Sequence, residues 1–589
     1  MKLDFSRDKL LTDFSKVTLR DRYMLPGEDS PQEAFARAAE AFSDDEDHAQ
    51  RIYDYASNLW FMFATPVLSN GGTRRGLPIS CFLNYVDDSR EGITEHFTEN
   101  AFLSSFGGGI GGYWSDVRSA GTKTSKGSES TGVVPFLKVV DAEMLAFSQG
   151  ITRRGSYAGY MNINHPEIEE FLDVRKPTGG DTNRKCLNLH HGVIVSDKFM
   201  EKIHLATKEP GFDDSWELVD PHSGEIKKTV SARALWVKIL QNRMETGEPY
   251  IMFEDAVNNN LPEFQKKKGL KVHHSNLCSE ITLATNEERT AVCCLSSVNL
   301  EYYDEWKDVP AFIPDLIRFL DNVLEYFINN APEALAKAKY SAKRERSIGL
   351  GAMGFHAYLQ KNMVPFESAI ASVFNEEIFS HIKNQADKET RRLAVERGAC
   401  PDDDTASVRN AHLLAIAPNA SSSILCGNTS PSIEPFRANA FNQKTKSGSN
   451  LLKNKYLDQL LMQKIGHAAT YDETWRSIVM NKGSVQHLDI LTDEEKEIFK
   501  TAVEINQAWV IEHAAERQEH ICQSQSLNLF FPPDVNKGDL HNAHMLAWAK
   551  NLKTLYYLRS EAISRADDVS NQAKREIIFE QSDCLSCEG

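Results

Sequence analysis

The chain has 589 residues, 41% of them hydrophobic and 25% charged, enough for one large domain or two to four ordinary ones. Its formal net charge of -17 argues against binding polymeric nucleic acid, whose phosphates repel an acidic surface without a basic patch; free nucleotides stay open. There is no apolar run long enough for a membrane span, and the start, MKLDFSRDKL, lacks a signal-peptide core, so a cytoplasmic protein is expected, with its ten cysteines mostly reduced.

In chain order, Ser30-Pro31-Gln32-Glu33 is a capping box that predicts a helix ending near Phe42, and an amphipathic stretch follows through Ile52, Tyr55 and Leu59. Residues 77–86 read as a strand carrying Cys81, and 94–106 as a helix running into the glycines of 107–112. Residues 192–196, 275–283 and 291–300 read as extended, and 314–329 and 375–396 as helical. Thr492-Asp493-Glu494-Glu495 is a second capping box, predicting a long helix toward Glu516. Residues 555–558 read as a strand holding adjacent tyrosines, and 577–589 form a short polar end expected to be mobile. Alternating strands and helices predict an α/β architecture.

On a strand, Asn276, Cys278 and Glu280 would share one face, where a thiol, a carboxylate and a carboxamide could do acid/base and redox work. Spacing alone favours the plainer reading of a half-buried strand with a free cysteine. Cys81 and the pair Cys293-Cys294 lie in apolar, strand-like surroundings that suit structural thiols equally. Cys584-Leu585-Ser586-Cys587 differs: it stands at the chain end, no further zinc ligands lie near in sequence, and a mobile dithiol suits thiol–disulfide exchange. Pro418-Asn419-Ala420-Ser421-Ser422-Ser423 could cradle a phosphate at a helix start or be an ordinary serine-rich turn. The glycines of 107–112 lack a P-loop signature, and Tyr556-Tyr557 suits packing as well as radical transfer.

Taken in order, the stretches ATPVLSNGGTRRGLPISCF, FGGGIGGYWSDVRSAG, SNLCSEI, AVCCLSSVNL, PNASSSI, SPSIEPF, KTLYYLRS and CLSC resemble the large, catalytic subunit of class I ribonucleotide reductase, over nearly the whole chain from about Leu25. The resemblance implies reduction of ribonucleoside diphosphates to deoxyribonucleotides for DNA synthesis. It implies a ten-stranded α/β barrel of two five-stranded halves around a central finger loop (63–575), after a short helical region (1–62) and before a C-terminal redox tail (576–589). Cys278 would become the thiyl radical that takes the substrate's 3'-hydrogen, Glu280 the base for the 3'-hydroxyl, and Asn276 a ribose ligand. Cys81 and Cys293 would be the reducing pair, with Cys294 a rival for the second position. Tyr556 and Tyr557 would relay the radical from a metal cofactor held by a separate small subunit, with no metal and no covalent cofactor in this chain. Cys584 and Cys587 would re-reduce the internal disulfide and be recharged by thioredoxin or glutaredoxin. Ser421, Ser422 and Ser423 would hold the substrate phosphates, Ser80 and Gly109 the ribose or base side. Asp88, Ser105 and Arg118 would bind a dNTP or ATP effector at a homodimer interface, and residues 148–155 would pass its identity to the substrate through Arg153 or Arg154.

Three departures from the family pattern stand out. The chain starts almost at the catalytic region, without an ATP cone, so no dATP shut-off through that site is expected; Ala420 replaces an acidic residue of the phosphate loop; and Ser125 stands where a second effector-phosphate arginine often occurs. An adenosylcobalamin-dependent class II enzyme is the first rival, and the tyrosine pair, which such an enzyme does not need, argues against it. A glycyl-radical enzyme would carry a different C-terminal signature. A non-catalytic nucleotide-binding regulator would be expected to have lost a core cysteine.

Overall fold

The computed structural model describes residues 1–149, 153–445 and 448–560, with the backbone alone at 148–149, 153–154, 441–445 and 448–450. The opening helices are α1 (Asp13–Arg22), α2 (Pro31–Phe42), α3 (Glu46–Ser57) and α4 (Thr65–Asn70). The predicted capping box closes the start of α2: Ser30 accepts from the helix backbone and Glu33 Oε2 accepts from Ser30 N at 3.0 Å. Ala34, Ala36, Ala38, Ala39 and Phe35 are buried and the helix packs on α3, so propensity and burial act together here.

The strands then build a ring. β1 (Phe61–Phe63) lies antiparallel on the outer part of β11. β2 (Cys81–Tyr85), β3 (Gly109–Tyr113), β6 (Ser156–Asn162), β7 (His190–Val195) and β10 (Tyr250–Phe253) run parallel in that order. Two hairpins interrupt them outside the ring, β4 (Ser148–Gln149) with β5 (Arg153–Arg154) and β8 (Ser215–Val219) with β9 (Ile226–Ser231). The second half starts at β11 (Ala291–Asn299), which pairs parallel with β12 (Ile348–Met353). It continues through the parallel bridges Leu350–Leu414 and Ile416–Gln525. Tyr556 N then donates to Leu527 O at 2.9 Å, bringing in β16 (Thr554–Leu555). β2 meets β11, and β10 meets β16, antiparallel. Two parallel halves of five strands, joined antiparallel at both seams, therefore close a barrel, as the sequence reading expected; the segments at Leu414 and Gln525 pair too briefly to register as regular strands. β15 (Leu529–Phe530) and β17 (Leu558–Arg559) extend the parallel pairing of Leu527 with Tyr556, and β13 (Ala440–Thr445) pairs with β14 (Gly448–Lys453) as a separate hairpin.

Helices pack outside. α5 (Arg90–Ser105) and α6 (Val134–Ala146) flank the first half; α7 (Phe312–Asn330) and α8 (Ala369–Arg397) cover the second. α5 begins four residues before its predicted start, because Ser89 caps it by accepting from Gly92 N at 2.9 Å. The largest difference lies after Thr492. Its capping box forms, but α10 (Asp493–Ile498) ends within two turns, after the short α9 (Ala420–Leu425). A separate α11 (Gln507–Gln518) starts afresh because Asn506 accepts from Ala508 N at 3.0 Å and competes for the backbone.

Candidate active site

Residues 275–283, expected as a strand, instead form a buried loop inside the barrel. Asn276 decides this locally. Its Oδ1 accepts from Ile281 N at 3.0 Å and its carbonyl accepts from Ser279 N at 3.3 Å, satisfying backbone groups that a strand would pair elsewhere. Ser279 takes φ 68°, so the chain turns directly after Cys278. Asn276 and Glu280 still meet, across the turn rather than along a strand: Asn276 Nδ2 donates to Glu280 Oε2 at 2.9 Å. Ser526 donates to the Cys278 carbonyl at 2.5 Å and to Glu280 Oε2 at 3.2 Å, and Thr554 donates to Ser279 O at 2.8 Å. On the other side His274 Nε2 contacts Gly111 O at 2.9 Å. Burial pushes the Glu280 carboxyl up to about 7, with the bonds from Asn276 and Ser526 limiting the rise.

The β2–β11 seam settles which cysteine faces inward. Cys81 and Cys293 are direct register partners on antiparallel strands, so both project to the same face, and Cys81 is also the register partner of Gly109 on β3. Gly111, two residues on from Gly109, lies beneath the loop, which identifies that face as the barrel interior. Cys294 points outward by alternation, its thiol 3.3 Å from Leu320 O on α7. Cys81, Cys278 and Cys293 are all buried and unbridged, and burial raises the Cys293 thiol well above its usual range. Gln523 Nε2 lies 3.6 Å from the Cys293 sulfur. Ser80, directly before Cys81, accepts from Gly109 N at 2.6 Å.

Tyr556 and Tyr557 fall between β16 and β17, and this break allows adjacent side chains to lie together. Their ring centroids are 4.4 Å apart. Tyr250 packs on both, at 4.8 and 5.0 Å, and Cys278 belongs to the same buried cluster. His190 Nδ1 lies 3.2 Å from the Tyr557 hydroxyl and 2.6 Å from Glu248, while the Arg559 guanidinium sits 4.1 Å from the Tyr557 ring centroid.

A cavity of about 310 Å³ opens beside these tyrosines. Ala420 and Ser423 from the start of α9 line it, with Glu434, Asn528, Tyr556 and Arg559. Ser421 and Ser422 are buried in the same turn, which Asn419 enters at φ 56°. Farther off, Arg118 Nε is paired with Asp88 at 2.9 Å, and His222 Nδ1 joins Asp88 at 3.2 Å. Within one chain Ser105 does not join them. Asp88 precedes α5 and Ser105 ends it, about 24 Å away at the helical rise of 1.5 Å per residue. Arg153 and Arg154 are placed on β5 by their backbone; Gly150, Ile151, Thr152, Cys584 and Cys587 lie outside the described residues. Among the described residues, no group of His, Cys, Asp or Glu is arranged to hold a metal ion.

Comparison with known proteins fits this geometry. The ribonucleotide reductase barrel domain matches residues 79–406 and 402–558, and the ribonucleotide reductase all-alpha domain matches 9–76. The chain belongs to the ribonucleotide reductase large-subunit family. It is 45% identical to the ribonucleoside-diphosphate reductase large subunit of Invertebrate iridescent virus 3, over 100% of both chains. It is 48% identical to the putative large subunit of Frog virus 3, over 92% of each. The solved structure of the Actinobacillus ureae class Id ribonucleotide reductase alpha subunit is 35% identical, with a TM-score of 0.82 over 96% of this chain and 100% of that one. The matched N-terminal residues are thus the all-alpha domain of a reductase, not an ATP cone.

Sequence reasoning missed several residues of this reductase site. Ser526 and Gln523 sit in the wholly polar run Gln523-Ser524-Gln525-Ser526, which carries no local strand or site signal. Glu434, within the quoted SPSIEPF, is buried at the cavity and accepts from Asn528 at 2.9 Å. Tyr160 and Tyr250 gave no local signal, because aromatic residues in strands are ordinary.

Proposed function

We propose that this chain is the catalytic large subunit of a class I ribonucleoside-diphosphate reductase and acts by thiyl-radical chemistry. The observation that carries the reading is the facing register of Cys81 and Cys293 at the antiparallel seam, with the loop of Asn276, Cys278 and Glu280 held inside the same barrel.

In this reading a hole reaches Cys278 through Tyr557 and Tyr556 from the metal cofactor of a separate small subunit. The Cys278 thiyl takes the 3'-hydrogen. Glu280 takes the 3'-hydroxyl proton, aided by a carboxyl poised near 7, and Asn276 orients both Glu280 and the ribose. One thiol of the Cys81–Cys293 pair protonates the departing 2'-hydroxyl, which leaves as water. The other hydrogen ends on C2', the two sulfurs lose two electrons and join, and Cys278 and Glu280 return their hydrogen and proton to C3' and O3'. The buried, walled site protects the radical from quenching.

Ser421, Ser422 and Ser423 hold the substrate phosphates, and Ser80 and Gly109 lie on the ribose or base side. A dNTP or ATP effector binds near Asp88 and Arg118, with Ser105 contributing across a homodimer, and Arg153 carries the signal toward the substrate. Cys584 and Cys587 deliver electrons from thioredoxin or glutaredoxin in the reducing cytoplasm. The test is dCDP formation from CDP with an effector and dithiothreitol, in one arm with the small subunit of the same genome and in the other with adenosylcobalamin. Activity only with the small subunit is expected; activity only with the cobalamin would assign the chain to class II.

A further inference from the structure

The barrel interior carries a layer of tyrosines that the proposed turnover does not use. Register places Tyr85 on β2 beside Tyr113 on β3, Tyr113 beside Tyr160 on β6, and Tyr160 beside Gly192 on β7, which in turn faces Tyr250 on β10. Register partners on parallel strands project to one face, so these side chains form one tier. Gly192 has no side chain because the Tyr160 ring occupies its place: a Cβ there would lie 2.3 Å from a ring carbon. Tyr250 leads to Tyr556 and Tyr557. The other three lead away.

Tyr160 starts this second branch within the turn that carries Cys278. Its hydroxyl lies 2.6 Å from Ser275 Oγ and donates to Asn276 O at 2.8 Å, and its ring shares the buried cluster of Cys278. His274 bridges the rings of Tyr160 and Tyr113, at 5.7 and 5.9 Å between centroids. Tyr113 and Tyr85 are stacked at 5.8 Å. Both phenols point at one carboxylate: Tyr85 donates to Asp116 at 2.6 Å and Tyr113 at 3.3 Å. Tyr85 is half-buried and lines a groove of about 890 Å³ on the protein surface. A series of tyrosine rings, with His274 between Tyr160 and Tyr113 and a proton acceptor at its outer end, therefore runs from the Cys278 turn to solvent.

We infer that Tyr160, Tyr113 and Tyr85 form an escape route that drains an oxidising hole from Cys278 when no substrate is bound. The inference rests on the radical reading above. A phenol hydroxyl gives up an electron and a proton together. Tyr160 supplies both to the Cys278 thiyl, restoring the thiol and becoming a tyrosyl radical. Tyr113 then restores Tyr160, the electron crossing between the rings and the proton passing by way of His274, which lies between them. Tyr85 restores Tyr113 in the same way, with its proton handed over through the shared Asp116 carboxylate. A small soluble thiol entering the groove returns a hydrogen atom to the Tyr85 radical and leaves as a thiyl. With substrate bound, hydrogen abstraction from the ribose competes and the branch stays idle.

The experiment uses the full chain with its small subunit, effector and dithiothreitol. Wild type, Tyr113→Phe and Tyr85→Phe are incubated without substrate; CDP is then added at intervals to read the surviving activity, and oxidised residues are mapped by peptide mass spectrometry. Phenylalanine keeps the ring packing and removes the oxidisable hydroxyl, so both variants should begin at the wild-type rate. They should lose activity several-fold faster during the incubation, with oxidation accumulating at Cys278 and Tyr160 that the wild type, repaired at Tyr85 by dithiothreitol, does not show. Equal loss in all three, with the same residues oxidised in each, would overturn the escape route while leaving the reductase reading intact. No initial turnover in the wild type would instead overturn that reading, and with it the source of the hole. If Tyr113→Phe does not fold, Tyr85→Phe decides alone, since its half-buried ring is less constrained.

Discussion

Glu280 is subject to opposing influences. Burial favours its neutral form, whereas bonds from Asn276 and Ser526 favour the carboxylate, and the balance leaves it near 7. A base must be ionised to take a proton, so kcat/KM for CDP should climb with pH through a limb near 7. Glu280→Gln should remove that limb and lower turnover by about 10²- to 10⁴-fold, the usual contribution of a positioned base; an unchanged profile would exclude Glu280 as the base. The sign for stability is the reverse. A carboxyl whose pKa is raised on folding adds stability below the ordinary carboxylate range and loses it as pH rises through about 7. The two adjacent cysteines of β11 give a second test at this scale. Cys293→Ser should abolish multiple turnover, whereas Cys294→Ala, which alters a side chain packed on α7, should keep dCDP formation and cost about 1 kcal/mol in thermal or denaturant unfolding. The opposite outcome would exchange their roles.

The loop that carries Cys278 depends on how closely β3 lets it approach. A Cβ at Gly111 would lie 2.1 Å from Ser275 O, a backbone atom that cannot swing aside as a side-chain end can. Gly111→Ala should therefore push the loop off its seat, costing about 1–3 kcal/mol in denaturant unfolding, in the range of an overpacked core. Turnover should fall further than that loss of stability explains, because Asn276, Cys278 and Glu280 move together. Full activity in this variant would mean the loop has room to spare. The opposite edge of the loop is tied through Ser526 and Thr554, so both halves of the barrel hold it.

For the whole molecule, the proposed turnover leaves a Cys81–Cys293 disulfide that needs two electrons, and both cysteines are buried, so the proposal calls for a shuttle between the barrel and a protein reductant. Changing both Cys584 and Cys587 to Ser should leave activity with dithiothreitol and abolish it with thioredoxin. Equal loss with both reductants would remove the tail from the electron route.

Much of this protein was written locally. The capping boxes at Ser30 and Thr492, the alternation of strands and helices, and the ordered series of motifs gave the helix starts, the α/β class and the family, because each depends on neighbours in sequence. Alternation along β11 even implies that Cys293 and Cys294 face opposite ways. Only the closed barrel decides which of them faces inward, since that depends on pairing with β2, more than two hundred residues earlier. The strand expected at 275–283 became a loop because its hydrogen-bond partners lie within itself, in Ser526 and in Thr554, which no local window contains. The helix expected to reach Glu516 ends instead at Ile498, and a second one begins where Asn506 caps its start. The tyrosine tier was hidden for the same reason: its members lie on separate strands, and register alone brings them level. Sequence determined what each segment prefers; the tertiary structure decided which preferences meet, because a contact between distant residues is fixed by the closure of the barrel as a whole.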